Sequence, residues 1–304
     1  MKKGIHYWAL PTELPLARKF RFAKECGYDG VELALLREGA FSPNCSAEEL
    51  REIRRAADGE GIALPSITNT LSWTCSFTSS RKEIREKAAD VLKQEIDIAS
   101  MIGAEAVLAL PGFVHMNFSA NGLHPLTDTS APGDYCPSGE VVDYAEAYGR
   151  AVEGYRALAS YASDAKVRIC VENIWSGFLL SPIEMRGFID EIGSEYVRSY
   201  FDVGNVCPYG IPEQWIRILG ERIERVHFKD YVGSAQSLDC FVPLLAGRID
   251  FQKTMRALRD IGYDGWVTAE VNGNPQAPGY IAQITSKALD DIFQLGGESN
   301  GELF

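Results

Sequence analysis

Short runs of Val, Ile, Leu and aromatic residues alternate with longer amphipathic stretches along the whole chain. The short runs predict strands near 4–8, 29–35, 62–68, 105–110, 167–173, 197–203, 223–229 and 265–271. The stretches between them predict helices near 13–26, 46–59, 80–102, 143–163, 181–192, 211–221, 250–261 and 277–294. Strict alternation of strand and helix implies a parallel sheet covered by helices, and eight such units can close into a barrel. The expected architecture is α/β, a single (βα)8 TIM barrel over residues 1–295, with 296–304 as a flexible C-terminal tail.

The joints carry their own chemistry. Ser46 to Glu49, Ser80 to Glu83 and Ser181 to Glu184 read as capping boxes, and Pro182 suits a first helical position. Gly27, Gly61, Gly103, Gly193 and Gly262 fall just after helices, where a C-terminal cap is expected. Two joints nearly repeat, Cys26-Gly27-Tyr28-Asp29-Gly30 and Ile261-Gly262-Tyr263-Asp264-Gly265, an echo of the repeating unit. The longest irregular stretch, about 113–142, contains His115 and follows the fourth strand, so a substrate-covering lid is expected there. A second insertion, between Asp230 and Arg248, also reads as irregular.

Composition narrows the class. With 46% hydrophobic and 24% charged residues in 304, the chain is an ordinary soluble globular one. A net charge of −12 excludes a broad basic face and so argues against nucleic acid as a partner. No apolar stretch approaches the roughly 20 residues of a membrane helix, and the N-terminus lacks a signal-peptide apolar region. Seven scattered Cys without a Cys-x-x-Cys pair favour reduced thiols in a cytoplasm.

Four of the strand-like runs end on metal-ligand side chains: Glu172, Asp202, His227 and Glu270. Their separations are 30, 25 and 43 residues, the last enlarged by the insertion after Asp230. A lone carboxylate at a strand end is more often a solvated residue or a helix cap. Four in register on adjacent strands would bring three acids and an imidazole to one mouth, where barrel active sites sit. Their mutual repulsion is relieved by a divalent cation, Mn²⁺ foremost, with Mg²⁺, Co²⁺ or Zn²⁺ as alternatives. Strands 5 and 8 lie three steps apart, so Glu172 and Glu270 would flank a bound substrate as an acid/base pair.

Other candidates for contacting a substrate are weaker. His6 and Trp8 end the first strand and would form a pocket floor and an apolar wall, a packed core histidine being an equal reading for His6. Lys229 would bind a sugar oxygen or pair with Asp230. Arg37 and Arg248, in mouth-side loops, would take a phosphate. His115 and Asn205 complete the set.

Several segments resemble a known family: Val171-Glu172-Asn173-Ile174-Trp175, Phe178 to Met185, Tyr200 to Asn205, Val226-His227-Phe228-Lys229-Asp230, and Gly262 to Glu270. They are similar to the sugar-phosphate isomerase/epimerase family, the xylose-isomerase-like barrels, and within it to pentulose-5-phosphate 3-epimerases and hexulose-6-phosphate isomerase-type proteins. The resemblance implies one divalent metal on Glu172, Asp202, His227 and Glu270, with acid/base roles for the two Glu. It implies proton transfer next to a ketose carbonyl of a small sugar or sugar phosphate, through an enediolate, in a protein that can be a homo-oligomer. A lyase of the same fold, such as an inosose dehydratase or an enzyme cleaving 3-keto-glycosides, needs the same base and metal and stays open. Two departures bear on the substrate. Asn205 stands where free-ketose 3-epimerases often carry His, and Leu245-Ala246-Gly247 stands where Gly-Glu-Gly is common.

Overall fold

A computed structural model describes residues 1–114 and 141–295. Eight parallel strands close into a barrel: β1 (Lys2–His6), β2 (Gly30–Leu35), β3 (Ile67–Asn69), β4 (Ala106–Ala109), β5 (Arg168–Glu172), β6 (Val197–Asp202), β7 (Ile223–Phe228) and β10 (Trp266–Ala269). Each strand pairs with its chain neighbour in this series, and β10 returns to β1. The (βα)8 barrel expected from the pattern is the fold observed.

The principal helices outside are α1 (Leu16–Glu25), α2 (Ala47–Glu60), α3 (Lys82–Ile102), α4 (Tyr144–Ala165), α5 (Pro182–Ile192), α7 (Pro212–Leu219), α8 (Phe251–Asp260) and α9 (Tyr280–Gln294), with a short α6 (Val203–Val206) directly after β6. In α3 the buried Ile84, Ala88, Leu92, Ile96 and Ala99 recur every three or four residues, one stripe turned to the sheet. All five joint glycines have positive φ, as their C-terminal positions require.

Three local expectations are corrected. Of the capping boxes only Ser46 with Glu49 forms. Helix α3 begins at Lys82 with Arg81 as its cap, and the Glu184 carboxylate is taken by the Tyr144 hydroxyl instead of returning to Ser181. The third strand shortens to Ile67–Asn69 after a single bridge at Ala63, because Pro65 has no N–H for the ladder. The insertion after His227 is also not wholly irregular. It folds as an antiparallel ribbon of β8 (Asp230–Tyr231) and β9 (Phe241–Val242).

Between α4 and α5 an aromatic cluster seals the wall. Phe188 is fully buried and meets Tyr148, Tyr155 and Phe178 edge to face at 5.7, 5.9 and 6.2 Å between ring centroids. Phe188→Ala is expected to destabilise the protein by about 3–5 kcal/mol, the loss of transfer energy plus the cavity left behind. Denaturant unfolding measures it, and a loss under ~1 kcal/mol would mean the wall collapses around the gap.

Glu95, on α3, is fully buried, and neither of its carboxyl oxygens accepts a hydrogen bond. The Asn69 side-chain amide faces it without reaching hydrogen-bond geometry. Burial pushes the Glu95 carboxyl well above the usual carboxylate range, so the fold holds it protonated. A proton held by the native state and released by the unfolded one makes stability fall as pH rises from the ordinary carboxylate pKa, ~4.5, toward the folded value. Glu95→Gln removes that dependence. Its melting temperature relative to wild type is therefore expected to rise from pH 5 to pH 8, and a constant difference would refute the protonated assignment.

Candidate active site

Parallel pairing sets the heights of the four strand-end side chains. Asp202 lies opposite His227, Glu172 opposite Tyr200, and Thr268, two residues before Glu270, opposite His227. Glu270 follows the last residue of β10, and its backbone N–H donates to the Phe228 carbonyl at 3.0 Å. Four donor atoms, one from each of Glu172, Asp202, His227 and Glu270, consequently lie within 4.8 Å of one another at a single mouth. Among the described residues this is the one such group of His, Cys and acidic side chains.

His227 is the hub. Its Nδ1 is 3.3 Å from Glu172 Oε1, 3.0 Å from Glu270 Oε2 and 3.7 Å from Asp202 Oδ2. Its Nε2 is 2.7 Å from Glu32 Oε1. Lys229 completes the cluster, its ammonium 3.1 Å from Asp202 Oδ2 and 2.8 Å from Glu270 Oε2. These are ionic contacts: neither Asp202 Oδ2 nor Glu270 Oε2 accepts a hydrogen bond of good geometry.

Burial and crowding shift the charges. Burial, aided by the neighbouring Glu270 and Asp202, pushes Glu172 up to about 7, and burial likewise raises Asp202. Burial opposes ionisation of Glu270 too, but Lys229 and then His227 hold it well below the usual range. His227 and Lys229 are both raised against the cost of burial, His227 chiefly by Glu32 and Lys229 chiefly by Asp202.

The cluster fits a divalent cation on two counts. Ligands at ~2.0–2.4 Å from one ion lie ~3–5 Å apart, and the four donor atoms here lie within 4.8 Å of one another. Three carboxylates at this mouth share one ammonium and one imidazole, an excess of negative charge that a divalent cation offsets. Asp202 is further aimed by its neighbours. Its Oδ1 accepts the Asn205 N–H at 2.6 Å, while the Asn173 side chain accepts the Asp202 N–H at 2.9 Å and donates to the Asp202 carbonyl at 2.8 Å.

The remaining candidates fall in different places. Lys229 does not pair with Asp230, which is engaged by the backbone N–H groups of Tyr231, Gly247 and Ile249 at 2.8, 2.8 and 3.2 Å. Those bonds clamp the ends of the ribbon, and a Cβ on Gly247 would lie 2.2 Å from Asp230 Oδ1, so only glycine fits. His6 is a core histidine, fully buried against Trp8 with ring centroids 3.3 Å apart. Its Nδ1 accepts the Trp8 N–H and its Nε2 meets Thr68 Oγ1 at 3.3 Å, while burial lowers it to about 4 and keeps it neutral. Trp8 lies beyond β1, in a single 3-10 turn, and not on the strand itself. Asn205 holds Asp202 and lies 3.5 Å from the Lys229 ammonium. Arg37 and Arg248 are exposed, and the Arg248 guanidinium donates to the Cys207 carbonyl, with the Tyr231 ring 5.9 Å away. His115 and most of the expected lid lie outside the described residues, as does the C-terminal tail.

Over the cluster leans the β8–β9 ribbon. Phe241 stacks on Trp175 with centroids 5.4 Å apart and planes 4° from parallel, and the Lys229 ammonium lies 4.8 Å from its ring centre. A Cβ on Gly204 would fall 2.8 Å from Lys229 Cβ, so the turn of α6 is packed directly under this wall.

A parallel barrel with an acid- and imidazole-lined mouth defines the class, and sequence comparison identifies it. The chain belongs to the xylose isomerase-like TIM barrel family, whose model matches residues 20–290. It is 24% identical over 302 residues to a Haemophilus influenzae protein provisionally named L-ribulose-5-phosphate 3-epimerase, covering 94% of this chain and 97% of that one. It is 23% identical over 278 residues to the fructoselysine 3-epimerase of Shigella flexneri, covering 89% and 90%. Among solved structures, that of a D-psicose 3-epimerase in the presence of D-fructose superposes with a TM-score of 0.75 at 20% identity, over 98% of this chain and 100% of that one. Among the described residues no helix is long and apolar enough to cross a membrane.

Proposed function

We propose that this protein is a divalent-metal-dependent carbohydrate isomerase, specifically an epimerase of a ketose or ketose phosphate that works by proton transfer at the carbon beside the carbonyl. The observation that carries the reading is the convergence of Glu172, Asp202, His227 and Glu270 within 4.8 Å at one barrel mouth. Relatives named as 3-epimerases over nearly their full length support the reaction class.

Glu172, Asp202, His227 and Glu270 would hold the ion, Mn²⁺ being the best match to three oxygen donors and one imidazole. Once bound, such an ion supplies Lewis-acid polarisation of the substrate's carbonyl and adjacent hydroxyl. The protein's own groups do the rest. Glu172 and Glu270, on strands three steps apart, exchange a proton with opposite faces of the substrate carbon. The Lys229 ammonium beside Glu270 binds a substrate oxygen, and the Trp175–Phe241 wall excludes water from the enediolate.

A panel of ketoses, ketose phosphates and keto-inositols, incubated with enzyme and Mn²⁺ in D₂O, tests the proposal. Solvent deuterium at the carbon next to the carbonyl, together with the epimer, is the expected result. Loss of water or of an aglycone would assign the fold to a lyase instead. No exchange with any ketose would overturn the proposal.

A further inference from the structure

We propose that Glu32 is a positioning residue of the metal centre, a buried anchor that holds the His227 imidazole with its proton on Nε2 and its Nδ1 lone pair turned toward Glu172, Asp202 and Glu270. The inference rests on the metal reading above and assigns a role to a residue that contacts neither the ion nor the substrate.

Glu32 lies inside β2, where the flanking Val31 and Leu33 are fully buried apolar residues. It has no solvent exposure. Its two oxygens are committed to different strands of the barrel. Oε1 receives His227 Nε2 at 2.7 Å, from β7. Oε2 accepts the hydroxyls of Ser66 and of Tyr200, the latter reaching across the barrel interior from β6. A carboxylate fastened at Oε2 by two hydroxyls cannot swing Oε1 away from the imidazole. Tyr200 also packs against the imidazole, its ring tilted 46° with centroids 4.2 Å apart.

His6 closes the fourth side. Its Nδ1 accepts the Trp8 N–H, so its own proton is on Nε2, 3.3 Å from Thr68 Oγ1 and 3.5 Å from Glu32 Oε1. It supports the carboxylate and offers His227 no acceptor. Glu32 is therefore the group that selects which nitrogen of His227 carries the proton. The choice matters because an imidazole can ligate only through an unprotonated nitrogen, and Nδ1 is the one that faces the three carboxylates.

Burial supports a role beyond packing. A carboxylate removed from water and held by two hydroxyls and two imidazoles is still costly to keep, and the cost is offset when the positive charge of an ion lies one ring away. A divalent ion on Nδ1 supplies that charge through the imidazole. The arrangement also raises the basicity of the ligating nitrogen.

The test uses the full chain stripped with EDTA, comparing wild type, Glu32→Gln and Tyr200→Phe by calorimetric titration with Mn²⁺ and by the visible spectrum of the Co²⁺ form. Glutamine keeps the volume but can present its amide N–H to Nε2, which forces the proton onto Nδ1. For Glu32→Gln the Mn²⁺ dissociation constant is expected to rise ~10–100-fold, with an altered Co²⁺ spectrum and thermal unfolding in EDTA that remains cooperative. Tyr200→Phe leaves the carboxylate but frees one oxygen, so a smaller weakening in the same direction is expected; it carries the test if Glu32→Gln fails to fold. Dissociation constants within about threefold of wild type, well short of the ~10-fold floor, with an unchanged Co²⁺ spectrum would overturn the inference alone. A wild type that binds no Mn²⁺ would overturn the metal reading and this inference with it.

Discussion

Glu172→Gln and Glu270→Gln are each expected to depress interconversion of epimers by ~10²–10⁴-fold, the usual cost of losing a positioned general acid or base. The amide keeps an oxygen for an ion while removing the group that takes and returns the proton, so metal content is expected to survive where turnover does not. The two carboxylates approach the same imidazole nitrogen from strands three steps apart, at 3.3 and 3.0 Å, and so flank whatever is held between them. Each variant is therefore expected to exchange the proton of one epimer with D₂O while failing to complete the inversion. Epimer ratios by chromatography and deuterium content by mass spectrometry read the two halves separately. Near-normal inversion by either metal-loaded variant would rule out the paired-glutamate mechanism.

Asp202→Asn and His227→Ala should lose the ion itself. Both residues are fully buried in the cluster: in Asp202→Asn the amide oxygen stays on the Asn205 N–H and the NH2 group takes the ligand position, while His227→Ala removes the imidazole outright. Metal analysis of wild type is expected to give close to one divalent ion per chain, with a large drop in both variants. Linkage supplies a second readout. Mn²⁺ at 100 times its dissociation constant should stabilise wild type by ~2.7 kcal/mol and leave His227→Ala unmoved. Full occupancy in both variants, or equal stabilisation of all three proteins, would remove these residues from the ligand set.

Much of the fold was legible because its signal is repetitive: eight apolar runs, each ending near a mouth and each followed by an amphipathic helix. The four acid and imidazole side chains stood out because each closes such a run, and parallel register brings Asp202 level with His227 without any long-range information. Glu32 was missed although its signal is present, a single charge inside the otherwise apolar stretch Gly30–Leu35. A charge mid-strand reads as an outward-facing residue until the barrel closes and turns it inward, opposite His6. Of the two readings of Lys229, a sugar-oxygen contact or a pair with Asp230, the second falls away because Asp230 is consumed by backbone donors of a ribbon that shows no two-residue turn signal in sequence. Capping boxes failed where a tertiary partner outcompeted the local one, as Tyr144 does for Glu184.

The four strands that carry the cluster are contiguous: β5, β6, β7 and β10. The other arc of the mouth, β1 through β4, contributes no donor atom to it. The ligand side chains thus occupy one half of the mouth, and the other half reaches them from within the barrel, through Glu32 on β2. Loops after β1, β2, β3 and β4 can lengthen, shorten or change chemistry with the ion-holding arc untouched, which gives natural drift and laboratory libraries the same free territory. Diversification for new sugars is best confined to that arc, around Trp8 and the turn at Thr70–Thr74, whereas randomising the opposite arc would discard the chemistry before any new specificity could be selected.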